Sequence, residues 1–355
     1  SQIQGRDQVV VKLPGGGEEI HHGQILRNPD TGAWHFQGDI HLDDLNAVAK
    51  DVEVRPGFFT LLRRARLRWI AWAAGLWGVL VLLAALRWQI LLSAAGVQAS
   101  YLKSLRLCLV GWFFNNVVPG LTGGDLARAV LITRGMTENR WKAGLSVLVD
   151  RVVGLVVLIA LAACMLGFLL FGGSTLPAEN VIGLAKAVFL FLGVAFLFGA
   201  LYLSRRARSF LGFEDWLKRL PGGSTFGKIN EAATIYRERP RKLLASFILS
   251  VPLQISGIFA FYCVGKALGA NLLLAEIFIA FPVAQTLSAL PISPPAGWGV
   301  GETIYGEFFA LFGSTFTLGV AVSVLFRLLS QVGFGLLGGI VWMISAERKV
   351  EEPVL

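Results

Sequence analysis

The sequence predicts an all-α polytopic membrane protein with an internal, inverted repeat and broken or re-entrant helices, preceded by a small, mostly β domain outside the membrane. Three observations predict it. The 355 residues are 55% hydrophobic and 15% charged, with a mean hydropathy of +0.64, whereas soluble domains are about a quarter charged. A series of apolar runs approaches or exceeds the length of a bilayer span. Two Gly/Pro-rich interruptions follow such runs with the same spacing of glycine and carboxylate.

Residues 1–57 stand apart from the rest. The runs "QVVVKL", "GQILRN" and "AWHFQG" are short and β-rich, and "PGGGEE" and "NPDTG" between them are turn signals. All four histidines (His21, His22, His35 and His41) lie here, at spacings that match no zinc pattern. Next, "PGFFTLLRRAR" (56–66) mixes apolar and basic residues as an interfacial helix does. Spans are expected near 67–86, 100–118, 143–170, 183–203, 243–268, 272–290 and 315–345. The expected membrane domain is 58–345, with halves at about 67–203 and 243–345, a basic cytoplasmic linker at 204–242 and a tail at 346–355.

Charge and cysteine usage narrow the function classes. The net charge is +9, but basic residues cluster beside apolar runs at 63–68, 205–208 and 237–242. That pattern faces anionic lipid and does not indicate nucleic acid. Cys108, Cys164 and Cys263 all lie in apolar runs and suggest neither a disulfide framework nor a metal set. No cofactor or metal site is expected.

The two interruptions are "PGLTGGDLARAVLITRG" (119–135) and "PPAGWGVGETIYGEFFALFG" (294–313). At one offset of 177 residues Gly120 falls on Gly297, Gly124 on Gly301 and Asp125 on Glu302. The same offset carries Ser146-Val147-Leu148 onto Ser323-Val324-Leu325. A duplicated unit with broken segments at matching positions is a pointer to a transporter-type site. If both segments are short crossings, the halves are inverted and most loop charges, Arg87 among them, lie inside. That arrangement is the one expected, with the β domain outside and a span or signal upstream of Ser1. The competing arrangement keeps 1–66 in the cytoplasm and treats both segments as re-entrant.

The chemistry of 115–135 follows from its residue types. Pro119 cannot continue a helix interior, and Gly123 and Gly124 permit close backbone approach. A helix restarts at about Asp125, and its N-terminus carries a positive dipole end that attracts an anionic group. Asp125 then serves as N-cap, as a substrate or proton group, or as both; the same holds for Glu302 after Gly301. Arg128 shares a helix face with Asp125. Asn115 and Asn116 satisfy loosened backbone or line a cavity. Asp150 and Arg151 lie within an apolar run, as a local pair or as cavity charges. Arg327 lies deep in "AVSVLFRLLSQVGFGLL" and needs a partner there, Asp125, Asp150, Glu302 or a bound anion. Gln331 shares its face.

The segments "FFNNVVPGLTGGDLARAVLITRG", "SVLVDRVVGL", "ALPISPPAGWGVGETIYGEFF" and the preceding "ALRWQILLSAAGV" resemble the lysylphosphatidylglycerol synthase transmembrane (flippase-like) family over about 56–345. The resemblance implies a polytopic helical fold with pseudo-symmetry, movement of lipid-like substrates between leaflets, and one further span at the start. By motif it carries functional roles onto Asn116, Pro119, Gly123, Gly124, Asp125, Arg128, Asp150, Arg151 and Glu302. No aminoacyl-transferase segment follows the last span before Leu355, and the 1–57 domain is outside the common pattern.

The expected function is therefore a non-enzymatic translocase for a lipid or lipid-linked headgroup, anionic or aminoacylated. The expected setting is a bacterial inner membrane, with 1–57 on the periplasmic side facing an envelope partner. Two alternatives stand beside it. In an intramembrane enzyme of the glycine-aspartate type, the motif would need glycine where Thr122 stands and tyrosine where Val149 stands. In a non-transporting scaffold, the β domain would bind the partner.

Overall fold

The computed structural model describes residues 7–12, 18–27, 34–38, 41–42, 52–117, 123–134, 136, 139–172, 235–288 and 298–350. The expected span at 183–203, most of the 204–242 linker, Pro119, Gly120 and Gly297 lie outside them. The protein is mostly helical, and a small antiparallel sheet precedes the helices.

The sheet comprises β1 (Asp7–Lys12), β2 (Glu18–Arg27), β3 (Trp34–Gly38), β4 (His41–Leu42) and β5 (Val52–Arg55). Its order is β4-β3-β2-β1-β5, with Val9 opposite both His21 and Val54. Sequence patterning finds β1, β3 and half of β2; β4 and β5 are too short to show a period. One side chain ties the sheet to the helices. Buried Asp7 accepts the Gly57 N–H at 2.6 Å and the Thr60 hydroxyl at 3.1 Å.

Helix α1 (Phe58–Arg63) buries Leu61 and leaves its arginine exposed, as an interfacial helix should. Helices α2 (Leu67–Ala94), α3 (Tyr101–Val117), α4 (Gly123–Thr133), α5 (Arg140–Gly172), α6 (Pro240–Ala267), α7 (Leu274–Ser288), α8 (Val300–Leu311) and α9 (Phe316–Arg327) follow. A π-helical segment, Leu328–Gly333, joins α9 to α10 (Phe334–Val350). Among the described residues four helices are long and apolar enough to cross a membrane: 67–94, 140–168, 240–267 and 316–345. The chain is thus a multi-pass membrane protein. Helix α10 runs on to Val350, past the expected start of a tail at 346.

Helices α2 and α6 pack as antiparallel neighbours. The Arg66 N–H at the start of α2 donates to Ala267 O at the end of α6, at 2.9 Å. At the opposite end Arg239 donates to Ser93 O at 2.8 Å and the Tyr236 hydroxyl to Leu91 O at 3.2 Å. Each helix has 28 residues and ends in a left-handed glycine, Gly96 at φ 79° and Gly269 at φ 83°. In each turn the next N–H reaches back five residues, Val97 to Leu92 O and Ala270 to Gly265 O, both at 2.9 Å. That bond marks a Schellman-type stop, which a residue with a Cβ closes less readily.

The helix after each broken segment packs back against the helix before it. Along the first, the Gly124 N–H donates to Asn115 Oδ1 at 2.8 Å, Gly111 lies against the Arg128 side chain, and Cys108 shares a core cluster with Ile132. Helices α3 and α4 are therefore an antiparallel hairpin returning to the end where α2 finishes. Along the second, Ser288 lies beside Gly301, and Ile279 and Ala280 share a cluster with Phe308. Helices α7 and α8 form the matching hairpin from the opposite end. The 17 and 11 residues of α3 and α4 make two arms of about 25 and 16 Å at 1.5 Å per residue.

Candidate functional site

The arms of both hairpins, α2, α5, α6, α9 and the π segment line a cavity of about 310 Å³. Its walls hold a chain of charges. Arg87 Nε donates to Asp150 Oδ1 at 2.8 Å, and Arg87 Nη1 to Ser250 Oγ at 3.0 Å. Arg128 donates from Nη2 to Asp150 Oδ2 at 3.4 Å and lies 3.6 Å from Asp125 Oδ1. Arg151 Nε donates to Asp125 Oδ2. Three arginines thus share two aspartates, and the Arg128 guanidinium also stacks 4.2 Å from the Trp88 ring centre.

The second hairpin supplies a separate pair. Arg327 Nε lies 2.8 Å from Glu302 Oε1, with both side chains under 10% exposed. Glu302 Oε2 accepts the Gly299 N–H at 2.6 Å, and the Arg327 guanidinium stands 5.6 Å from the Trp298 ring centre. Buried charges of this kind persist only when paired.

Local sequence explains how the side chains arrive. Helix α4 starts at Gly123, two residues before the expected restart, so Asp125 is its third residue and not its N-cap. Asn115, reaching across from α3, satisfies the Gly124 N–H instead. The approach is close: a Cβ on Gly124 would stand 2.6 Å from Asn115 Oδ1 and closer still to Gly111 O. Glu302 is likewise the third residue of α8, and it does cap that helix. Gly301, directly against Arg327 and Ser288, leaves no room for a side chain.

The structure brings most of the expected site residues together. Asn115, Gly124, Asp125, Arg128, Asp150, Arg151, Arg327 and Gln331 line the cavity. Gly123 and Gly301 are buried beside it, and Glu302 reaches it through Arg327. Asn116 is exposed and points elsewhere, donating to Trp112 O at 3.0 Å and Gln331 O at 2.9 Å. Asp150 and Arg151 are not a local pair, because each finds its partner on another helix. Of the partners open to Arg327 in the sequence, Glu302 is the one it meets.

Sequence reasoning missed Arg87, which is 6% exposed and inside α2, and not in a loop. The signal was available: "VLLAALRWQILLSA" stays apolar on both sides of it. The π segment was also missed. It places Ser330 and Gln331 on the cavity wall directly after Arg327, and π segments often mark functional positions.

A helical hairpin from each end, lining a charged cavity among long apolar helices, defines a polytopic membrane protein built around a buried polar site. The chain belongs to the family described as the lysylphosphatidylglycerol synthase TM region, whose model matches residues 57–338. It is 25% identical over 309 residues to a UPF0104 membrane protein of Pyrococcus horikoshii, covering 82% of this chain and 90% of that protein. It is also 25% identical over 284 residues to a UPF0104 membrane protein of Methanothermobacter thermautotrophicus, covering 73% and 78%. No solved structure matches. Both relatives are archaeal, so the bacterial setting expected from the sequence gains nothing from them.

Proposed function

We propose that this protein is a carrier, not an enzyme, that moves a lipid or lipid-linked polar headgroup between leaflets through the cavity between its two hairpins. The single observation that carries this reading is that hairpin arms from opposite ends of the bundle, each with an arginine–carboxylate network, line the same cavity. An inverted duplication accounts for it. Helices α2 and α6 have equal length, the same glycine stop and opposite direction. Gly123 and Val300 open their helices at the 177-residue offset, and that offset also carries Asp150 onto Arg327. Such a repeat is the architecture of alternating-access carriers.

In this reading the phosphate of the headgroup meets the arginines, while the acyl chains stay among lipid. The arginines outnumber the carboxylates of the first network, which favours an anion. Asp125 and Asp150, the pair an aspartyl enzyme would need, are engaged by arginines. The cavity is fixed within a domain of 58–345 inside a plasma membrane. The basic end, with Arg239 and Lys242, faces the cytoplasm, and the sheet of 1–57 faces the other side, available to an envelope partner.

The test is transfer of a labelled phospholipid between leaflets of sealed proteoliposomes. Asp125→Asn and Arg327→Ala are expected to fall to the protein-free rate while eluting as folded protein. Wild-type rates in both variants would end the proposal.

A further inference from the structure

One half of the cavity holds polar atoms that no other described residue satisfies. Trp77 Nε1, Ser288 Oγ, Tyr305 OH, Ser323 Oγ, Ser330 Oγ and Gln331 Oε1 are all shielded and without a hydrogen-bond partner. All six residues line the cavity, and Trp77, Ser288, Tyr305, Ser323 and Ser330 are more than nine-tenths buried. They come from α2, α7, α8, α9 and the π segment. Buried polar groups are ordinarily paired, so such a group calls for a partner from outside the chain.

The chemistry of the set selects the partner. Four hydroxyls can donate or accept, the indole N–H donates, and the amide oxygen accepts. All six are uncharged. The cavity's carboxylates, Asp125 and Asp150, are held by Arg87, Arg128 and Arg151, and Glu302 by Arg327. An ammonium headgroup would therefore meet arginine-bound carboxylates and neutral oxygens, whereas a polyol could exchange hydrogen bonds with every orphaned atom. The geometry points to a hydroxyl-recognition subsite: the uncharged polyol part of a lipid headgroup, of glycerol or sugar type, fits among Ser288, Ser323, Ser330 and Tyr305 while its phosphate lies on the arginines. This rests on the carrier reading for its phosphate half and adds the class of headgroup.

The subsite is tested by binding, without transport. Purified protein in detergent is titrated with phosphatidylglycerol, phosphatidylinositol, phosphatidylethanol and phosphatidylethanolamine of identical acyl chains, and retained lipid is counted by native mass spectrometry. The first three carry the same phosphodiester charge, and phosphatidylethanol lacks the hydroxyls. The wild type is expected to hold at least one of the two polyol lipids about tenfold more tightly than phosphatidylethanol, as one or two net hydrogen bonds would give. Ser323→Ala with Ser330→Ala, and separately Tyr305→Phe, should reduce that preference and leave phosphatidylethanol binding in place. Removing an unpartnered buried hydroxyl should not lower the thermal midpoint in lipid-free detergent.

Equal retention of polyol lipids and phosphatidylethanol by the wild type overturns the subsite, as does a preference that survives both variants. Tightest retention of phosphatidylethanolamine overturns it too. The two readings fail separately. Preference without leaflet transfer refutes the carrier alone, and transfer without preference refutes the subsite alone.

Discussion

Replacing Asp150 with asparagine takes the carboxylate from two arginines at once. The Arg87–Asp150 contact is 2.8 Å long, and the two side chains keep 8% and 6% of their surface exposed, so solvent screening discounts it little. Removing one member of such a pair strands the other, at about 3–5 kcal/mol. Arg128 keeps Asp125 at 3.6 Å and adds less. Asp150→Asn should therefore lower unfolding stability by about 3–5 kcal/mol, and Arg87→Met by less, because Asp150 keeps Arg128 at 3.4 Å. The double variant strands neither of the two charges. It should cost no more than Asp150→Asn alone, a coupling of up to about 3 kcal/mol for residues in contact. Equilibrium unfolding in mixed detergent–dodecyl sulfate micelles measures all three. Costs that add to within about 0.5 kcal/mol, or singles below about 1 kcal/mol as exposed pairs give, would refute the reasoning.

Further outcomes follow from the same geometry. Gly124→Ala places a methyl group against Gly111 O and Asn115. It should open the first hairpin at about 1–3 kcal/mol and slow lipid transfer, read in proteoliposomes. Asn116→Ala removes the bond to Gln331 O and should raise amide hydrogen exchange across 328–334, with the rest of α10 unchanged. Asp7→Ala leaves the Gly57 N–H without its acceptor; increased proteolysis near 56–60 should report the loosened sheet, while lipid transfer persists. If the sheet were the functional part of a scaffold, removing 1–52 would abolish the protein's cellular role and leave any transfer intact.

The legible part of the fold was the part written in long periods. Apolar runs gave α2, α5, α6 and the α9–α10 crossing to within a few residues, except that the first was cut short at 86 by the charge of Arg87. That residue is the instructive miss. A lone arginine near a run's end reads as a flank, and only Asp150, 63 residues on and on another helix, makes it affordable in the interior. The glycine–carboxylate spacing marked both hairpins, because Gly124 and Gly301 sit where the paired elements approach too closely for a side chain. It did not reveal how α3 packs on α4 or α7 on α8, since that is set by tertiary contact. The partner of Arg327 stayed open among three carboxylates for the same reason: pairing is set by tertiary contact, not by spacing along the chain. The π segment leaves no period at all in a run as uniformly apolar as 316–345.

The central claim is that the cavity between the two hairpins opens to both faces of the membrane. Sided labelling tests it directly. In a background with Cys108, Cys164 and Cys263 replaced by alanine, Gln285→Cys places a thiol on the cavity wall, and Leu336→Cys places one on the exposed apolar surface. A membrane-impermeant thiol reagent should reach position 285 from either face of sealed vesicles and position 336 from neither. Labelling at 285 from one face only, or from none, would contradict the account.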